Sequence, residues 1–551
     1  MDTALQHHRN GRLTEAGQIY RQILAAHPRH ADALHLLGMV AFQGDHLKTA
    51  AGLIRQAIAI HPAGVSYHVN LGTVVYAQGK VEEAEALYRH ALALRPNLAE
   101  VHVNLGNLLL ARGELEESVV FFERALALQP ANAEAHNNLG NSRMNLGQLD
   151  EAMACYERAL ALKPDYAEAL YNQGNLYRRL DKLDESAACY ERALAMKPSY
   201  AEALYNLGNV RRDQGDVDEA LRQIAKALNV RPDYSQAAFG EALAQLVQGN
   251  FATGWLNYER RWKSMIDHDT PPRSYAEPLW SGEKLESGRL LLWPEQGVGD
   301  EIMFAGLIPD ALRTGNRCIL DCDPRLKPLF ARSFPSVAVV FGCGPGTHPE
   351  LEIAAQLPSG SLPGLFRKDA SAFAATTSPY LVADPVARAR LRARSADGRK
   401  LVGLAWYTNS VKTGRFRSID LAQFAPLFAL PGIRWVSLQY GSHDALEAQA
   451  AAAGAPIFID REVDQLADMD LFAAQIAAMD LVVTIDNSTA HLAGALGVPV
   501  WVLLPFAPDW RWLLDREDSP WYPTMRLFRQ SRPGDWHSVI ESLRTNLTET
   551  W

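Results

Sequence analysis

The 551-residue sequence predicts a two-part architecture, an N-terminal array of α-helical repeats followed by two α/β units in tandem. Three observations predict it. Proline recurs at Pro28, Pro62, Pro96, Pro130, Pro164, Pro198 and Pro232, a strict step of 34, and Gly38, Gly72, Gly106, Gly140, Gly174 and Gly208 keep the same step. All 12 tryptophans lie at Trp255 or later, so composition changes near residue 262. From Arg289 onward, short apolar runs alternate with helical stretches, the pattern of βαβ units.

Each 34-residue unit reads as a helix pair. Alanines at Ala57, Ala91, Ala125, Ala159, Ala193 and Ala227, with small residues at Ala50, Ala84, Ser118, Ala152, Ser186 and Ala220, mark where neighbouring helices approach closely. Six full units span 31–234, preceded by one that starts inside its first helix and followed by a divergent unit, 235–262. The period and this pattern of small residues, Gly and Pro resemble the tetratricopeptide repeat, which implies antiparallel helix pairs stacked into a superhelix with a concave groove. In the divergent unit Trp255, Tyr258 and Trp262 replace small contacts, which predicts a cap welded rigidly to the α/β region.

Asn70, Asn104, Asn138, Asn172 and Asn206 occupy one position in five successive first helices and should form a ladder on the concave wall. An amide side chain both donates and accepts, so it pairs with a peptide backbone whatever its sequence. The asparagine ladder and the order of domains resemble protein O-GlcNAc transferases, which implies a protein or peptide acceptor in the groove. Asparagine is also common at this position simply as a repeat residue. Cys155 and Cys189, again 34 apart, read as small buried residues, and His27, His30, His35 and His136 show no metal spacing.

Lysine and arginine number 54 against 63 acids, for a net charge of −9; residues 1–262 carry 26 against 30 and the remainder 28 against 33. Neither part has the cationic surplus that displaces counterions from nucleic acid, and the only basic block is the stretch Arg388 to Arg394. Five cysteines cannot make a disulfide framework in so long a chain, and residues 1–10 lack the apolar core of a secretory signal, so a cytoplasmic protein is expected. No run long and apolar enough to span a membrane occurs in the sequence.

Strands are expected at 290–293, 318–320 and 337–341 in a first α/β unit, 263–388, and at 401–407, 435–439, 457–459, 481–485 and 498–504 in a second, 389–551. Two Rossmann-like units facing one another suggest the GT-B arrangement of glycosyltransferases. Two turns carry the chemistry. The first, WPEQGVGDE at 293–301, places Gly297 and Gly299 after a strand and Asp300 at a helix start. The dinucleotide fingerprint is incomplete, with Ile302 where its third glycine belongs. Asp300 reads either as a helix cap or as a carboxylate delivered to a cleft rim.

The second turn, DNSTAHLAGALGVPV at 486–500, runs from a strand into a short helix whose first amides, around Ser488, Thr489, Ala490 and His491, are the place for a diphosphate. Small Ala490, Ala493 and Gly494 would let a ligand approach the sheet. Together GVGD and DNSTAHLAGALGVPV resemble the lipopolysaccharide heptosyltransferase-like family of GT-B enzymes over most of 275–540. The stretches 508–512, 519–523 and 527–530 resemble the subset in which this domain follows tetratricopeptide repeats.

That resemblance implies an inverting transferase with Asp300 as general base and a nucleotide-sugar donor, with no metal and no other cofactor. It also implies a phosphate-contacting cation in the loop 407–418, where Lys412 and Arg417 are the choices, both also readable as solvated loop charges. Asp486 would hold sugar hydroxyls and His491 a phosphate. Trp510, Arg511 and Trp512 would stack on base or sugar, or serve the core. Cys318 and Cys322 lack further zinc ligands, and Asp464, Asp468 and Asp470 lack calcium-loop order, reading as a helix start. Asn487-Ser488 after Asp486 departs from the Thr-Gly type of turn, so the donor sugar stays open. The leading reading is a glycosyltransferase acting on an acceptor recruited by the repeats. The alternatives are an interaction scaffold that binds a nucleotide sugar without transferring it, and a donor hydrolase.

Overall fold

A computed structural model describes residues 1–264, 273–347, 349–376, 378–410 and 414–550. The chain forms two compact units, Met1–Ala203 and Leu204–Trp551. The division falls inside the repeat array, because the last helices, from 204 to 264, pack with the α/β region while the change of composition comes later.

In the first unit, helices alternate at the expected step: Ala31–Gln43 and Leu47–Ile60, Val65–Ala77 and Val81–Leu94, Ala99–Arg112 and Leu115–Leu128, Ala133–Asn145 and Leu149–Leu162, Ala167–Arg179 and Leu183–Met196. The Asp2–Arg9 and Leu13–Ala26 pair precedes them. The recurring glycine has a steric cause. A Cβ on Gly72, Gly106 or Gly140 would sit 2.6 Å from the ring of Tyr88, Phe122 or Tyr156, so the first helix leaves a seat that an aromatic of the second fills. The turn inside each pair uses a left-handed residue at a second 34-step series, with Gly79, Gly113 and Gly147 near φ +78° and the non-glycines Asp45 and Asp181 at φ +60° and +66°.

The second unit opens with Val217–Val230, Ser235–Val247 and Phe251–Tyr258, then turns α/β. Its first sheet has four parallel strands, β1 (Arg289–Trp293), β2 (Cys318–Asp321), β3 (Ala338–Val340) and β4 (Ile353–Pro358), in the order β3-β2-β1-β4. The second has six, β5 (Lys400–Ala405), β6 (Ile433–Ser437), β7 (Ile457–Phe458), β8 (Leu481–Ile485), β9 (Val500–Leu504) and β10 (Met525–Arg529), in the order β10-β9-β8-β5-β6-β7. All the pairings are parallel.

Strands β4 and β10 are absent from the sequence expectation. Each lacks a clean apolar run, β4 because Gln356 interrupts it and β10 because Arg526 and Arg529 do. Gln356 is satisfied by donation from Trp293 Nε1 at 2.7 Å. Strand order reverses between β1 and β4 and between β5 and β8, and open α/β sheets hold ligands beyond the carboxyl ends of strands at such reversals.

The basic stretch after residue 385 is an internal staple: on the helix Pro385–Ser395, Arg390 pairs with Glu462, Arg392 with Asp480 and Arg394 with Asp460. Among the described residues no helix is long and apolar enough to cross a membrane.

Candidate functional site

Both motif turns leave strands that flank the reversals. After β1 the chain turns at Gly297 into the helix Val298–Ala305, with Asp300 in its first turn, where a carboxylate meets the positive helix end. After β8, Asp486 and Asn487 lead into the helix Ser488–Ala495. The two helices lie against each other: a Cβ on Gly299 would sit 3.3 Å from His491 Cδ2 and 3.6 Å from Ser488 Cα. Gly297, at φ −75° and ψ 166°, is extended backbone that any residue adopts. Of the two glycines, only Gly299 has a steric reason, and the space it saves is filled by protein.

Charges alternate from one turn to the other. Arg511 pairs with Asp300 Oδ1 and, at 2.5 Å, with Asp509 Oδ1; Arg417 lies 3.6 Å from Asp509 Oδ2 and 3.0 Å from Asp486 Oδ2. Counted as ionised, the three carboxylates and two guanidiniums of this network sum to one negative charge. Burial pushes the Asp486 carboxyl up, and Arg417 offsets only part of that. Burial would raise Asp509 as well, but Arg511 and Arg417 on either side outweigh it and hold Asp509 below the usual carboxylate range.

His491 is buried and stacked on Trp512, with centroids 5.2 Å apart, and its Nδ1 is 2.9 Å from the Tyr522 hydroxyl. Burial, helped by Arg511, pushes its pKa down to about 3, so the ring is neutral at ordinary pH. Asn487 Nδ2 is buried without a hydrogen-bond partner among the described residues; Asp486 Oδ2 and Trp512 Nε1 fall outside strict hydrogen-bond geometry, but the indole N–H faces the Asp486 carboxylate and Arg417 approaches it as an ion pair. An orphaned polar group needs a polar ligand or water to satisfy it.

Several expected site residues have other roles. The amides of Thr489 and Ala490, expected to receive a diphosphate, donate to Asn487 Oδ1 at 3.0 and 3.3 Å, and both residues are buried. An anion reaches them only if Asn487 turns aside. Gly494 seats the Tyr522 ring, where an added Cβ would come within 2.5 Å, so this glycine accommodates protein rather than ligand. Trp512 is fully buried and Trp510 packs on Trp255 and Tyr258, at 5.2 and 5.9 Å, so both serve the core. Ser488 is half-buried, and Lys412 lies outside the described residues.

Asp468 caps the helix Met469–Ala477, Asp464 accepts two local amides and Asp470 pairs with Arg332, in keeping with the expected helix start. Cys318 and Cys322 are free and buried.

In the repeats, Asn70 Nδ2 lies 2.7 Å from His35 Nε2, Asn138 donates to Asn107 at 2.8 Å, and Asn172 donates to Asn137 at 2.9 Å. Asn70, Asn104, Asn138, Asn172 and Asn206 are all half-buried. Asp509 and Asn487 lie inside the motif stretches, but the sequence reading gave neither a role at the site; the spacing of Asp509 two residues before Arg511 was the available signal. His68, His102 and His136 also keep the 34 step, each Nε2 meeting the carbonyl of Pro62, Pro96 or Pro130 at 2.7, 2.9 and 3.0 Å. These three histidines link their helices to the proline turns.

The tetratricopeptide-repeat models match residues 2–65, 63–131, 121–154, 140–181, 171–228 and 205–254. Protein FlbA of Caulobacter vibrioides is 32% identical over 330 residues, covering 56% of this chain and 54% of that protein, so the chain spans about half the length of this curated relative. Among solved structures, YrrB, described as a TPR protein with an unusual peptide-binding site, matches 34% of this chain and 98% of its own at 25% identity and a TM-score of 0.29. The APC/C hetero-tetramer Cut9–Hcn1 matches 44% of this chain and 48% of its own, at 18% identity and a TM-score of 0.40. Residues 2–254 are therefore tetratricopeptide repeats, a protein-interaction scaffold that leads into a parallel-sheet α/β region.

Proposed function

We propose that the α/β region is a GT-B glycosyltransferase, moving a sugar from a nucleoside diphosphate to a hydroxyl on a protein or peptide held by the repeats. The observation that carries this reading is the meeting of the two motif turns: Asp300 after β1 and Asp486 after β8, joined through Arg511, Asp509 and Arg417 beside the unpartnered Asn487 Nδ2.

In this reading Asp300, oriented by Arg511, accepts the proton of the acceptor hydroxyl as that oxygen attacks the anomeric carbon. The configuration inverts and the diphosphate departs with the bonding pair. Arg417 exchanges its carboxylate partners for the leaving phosphates while Arg511 stays on Asp300, and the planar, permanently charged fork of Arg417 suits the diphosphate oxygens without a metal. Asn487 swings away to free the first helical amides. The asparagine ladder meets the acceptor backbone.

The capped amides and the Arg511–Asp300 pair favour a second reading, a scaffold that binds a nucleotide sugar and does not turn it over. A thermal-shift panel of nucleoside diphosphates and their sugars tests both, since a ligand at about 100 times its Kd adds about 2.7 kcal/mol to the native state. One responding nucleotide, with sugar transfer only when an acceptor is present, supports the transferase. Binding without transfer supports the scaffold, release to water makes the protein a hydrolase, and no response to any nucleotide defeats all three.

A further inference from the structure

The divergent last repeat does more than cap the array. Its helix Phe251–Tyr258 and the turn after it reach both motif turns within the same compact unit. On the first turn, Tyr258 Oη accepts from Gln296 Nε2 at 2.8 Å, next to Gly297. Arg261, fully buried, holds Glu295 through two bonds, Nε to Oε2 at 2.6 Å and Nη2 to Oε1 at 2.9 Å, and also donates to Ser361 Oγ at 2.8 Å. Glu295 Oε1 takes the Gly360 amide at 2.8 Å, which ties the ends of β1 and β4 together at the reversal of strand order.

On the second turn, the Tyr258 ring packs edge-on to Trp510 at 5.9 Å and Trp255 does so at 5.2 Å. Trp510 immediately precedes Arg511, the partner of Asp300, whose guanidinium carbon lies 4.5 Å over the Trp510 ring. One tyrosine therefore touches the neighbour of Gly297 with its hydroxyl and the neighbour of Arg511 with its ring.

We propose that Tyr258 is a positioning residue of the site. Its hydroxyl fixes the 295–300 turn and its ring fixes Trp510, so that Asp300 and Arg511 are set by a side chain that the repeat array supplies. The inference rests on the transferase reading for its catalytic consequence, but the positioning itself can be measured without turnover. Ring burial gives Tyr258 a structural share as well, and substitution by phenylalanine keeps that share while removing the hydroxyl alone.

In the full chain, Tyr258→Phe is expected to speed amide hydrogen exchange across 296–300 by about tenfold, the effect of losing one hydrogen bond, with the change centred on that turn rather than on β1 or β8 and the unfolding midpoint lowered by no more than that one bond. Gln296→Ala removes the same bond from its other end and should give the same exchange pattern. Unchanged exchange in both variants overturns the proposal. Where the wild type transfers sugar, Tyr258→Phe should lower kcat by about tenfold with the donor KM unchanged; an unchanged kcat, or a loss confined to KM, overturns the positioning of Asp300. Faster exchange in the variants of a protein that transfers nothing keeps the positioning and ends the transferase reading.

Discussion

In the repeats, Asn172 finds Asn137 35 residues back and Asn138 finds Asn107 31 residues back; at the α/β turns, Arg511 finds Asp300 211 residues back and Arg261 reaches Ser361 100 residues ahead. Contacts of the first kind differ in step but each joins only adjacent repeats, so losing one leaves the other interfaces in place, and stability is close to a sum over units. The second kind has no duplicate. A broken link there strands a buried charge that no neighbouring unit replaces.

The largest loss is expected at Arg261. Replacing it by methionine leaves Glu295, only 1% exposed at its side chain, buried without its counter-charge, and removal of one partner of such a pair costs about 3–5 kcal/mol. The midpoint for unfolding the 204–551 unit in urea should fall accordingly.

Glu301 comes next. Burial pushes its pKa up to about 7, past the opposing donation from the Asp323 amide. Because the folded pKa lies above the unfolded one, its contribution is fully present below about pH 4.5 and is lost as pH rises through 7. Glu301→Gln keeps the neutral shape, so its stability relative to wild type should grow across that window, to about 3 kcal/mol. Parallel unfolding curves at pH 5 and pH 8 would reveal it, and a gap that shrinks with pH would refute the assignment.

A smaller effect sharpens the other side of the contrast. Gly140→Ala drives a methyl to 2.6 Å from the Tyr156 ring, an overpacking that costs about 1–3 kcal/mol. Helical circular dichroism during heating should show the loss in the repeats with the α/β transition unmoved. Smallest of all, Asn172→Ala removes one amide donation and should cost about 1 kcal/mol of stability.

The same contrast governs what the sequence makes legible. Gly72 and Tyr88 sit at fixed offsets inside a repeating unit, so the period declares both the helices and their close packing. Strand β4 is invisible because Gln356 breaks its apolar run, and that residue is tolerable only because Trp293 donates to it from 63 residues away. At the site, the turns carrying Asp300 and Asp486 could be read from their glycines and strand ends. The capping of Thr489 and Ala490 by Asn487 could not, since the same asparagine can face outward to a ligand or inward to its own helix. The role of Asp509 was hidden because it depends on two arginines, Arg417 and Arg511, brought together only by the fold.

Sugar transfer and nucleotide binding, compared in wild type and Asp300→Asn under one set of conditions, test the role of Asp300. Transfer by Asp300→Asn should fall by about 10²–10⁴-fold, the range for losing a general base, while nucleotide affinity stays within a few fold. Transfer at the wild-type rate by Asp300→Asn would contradict that role.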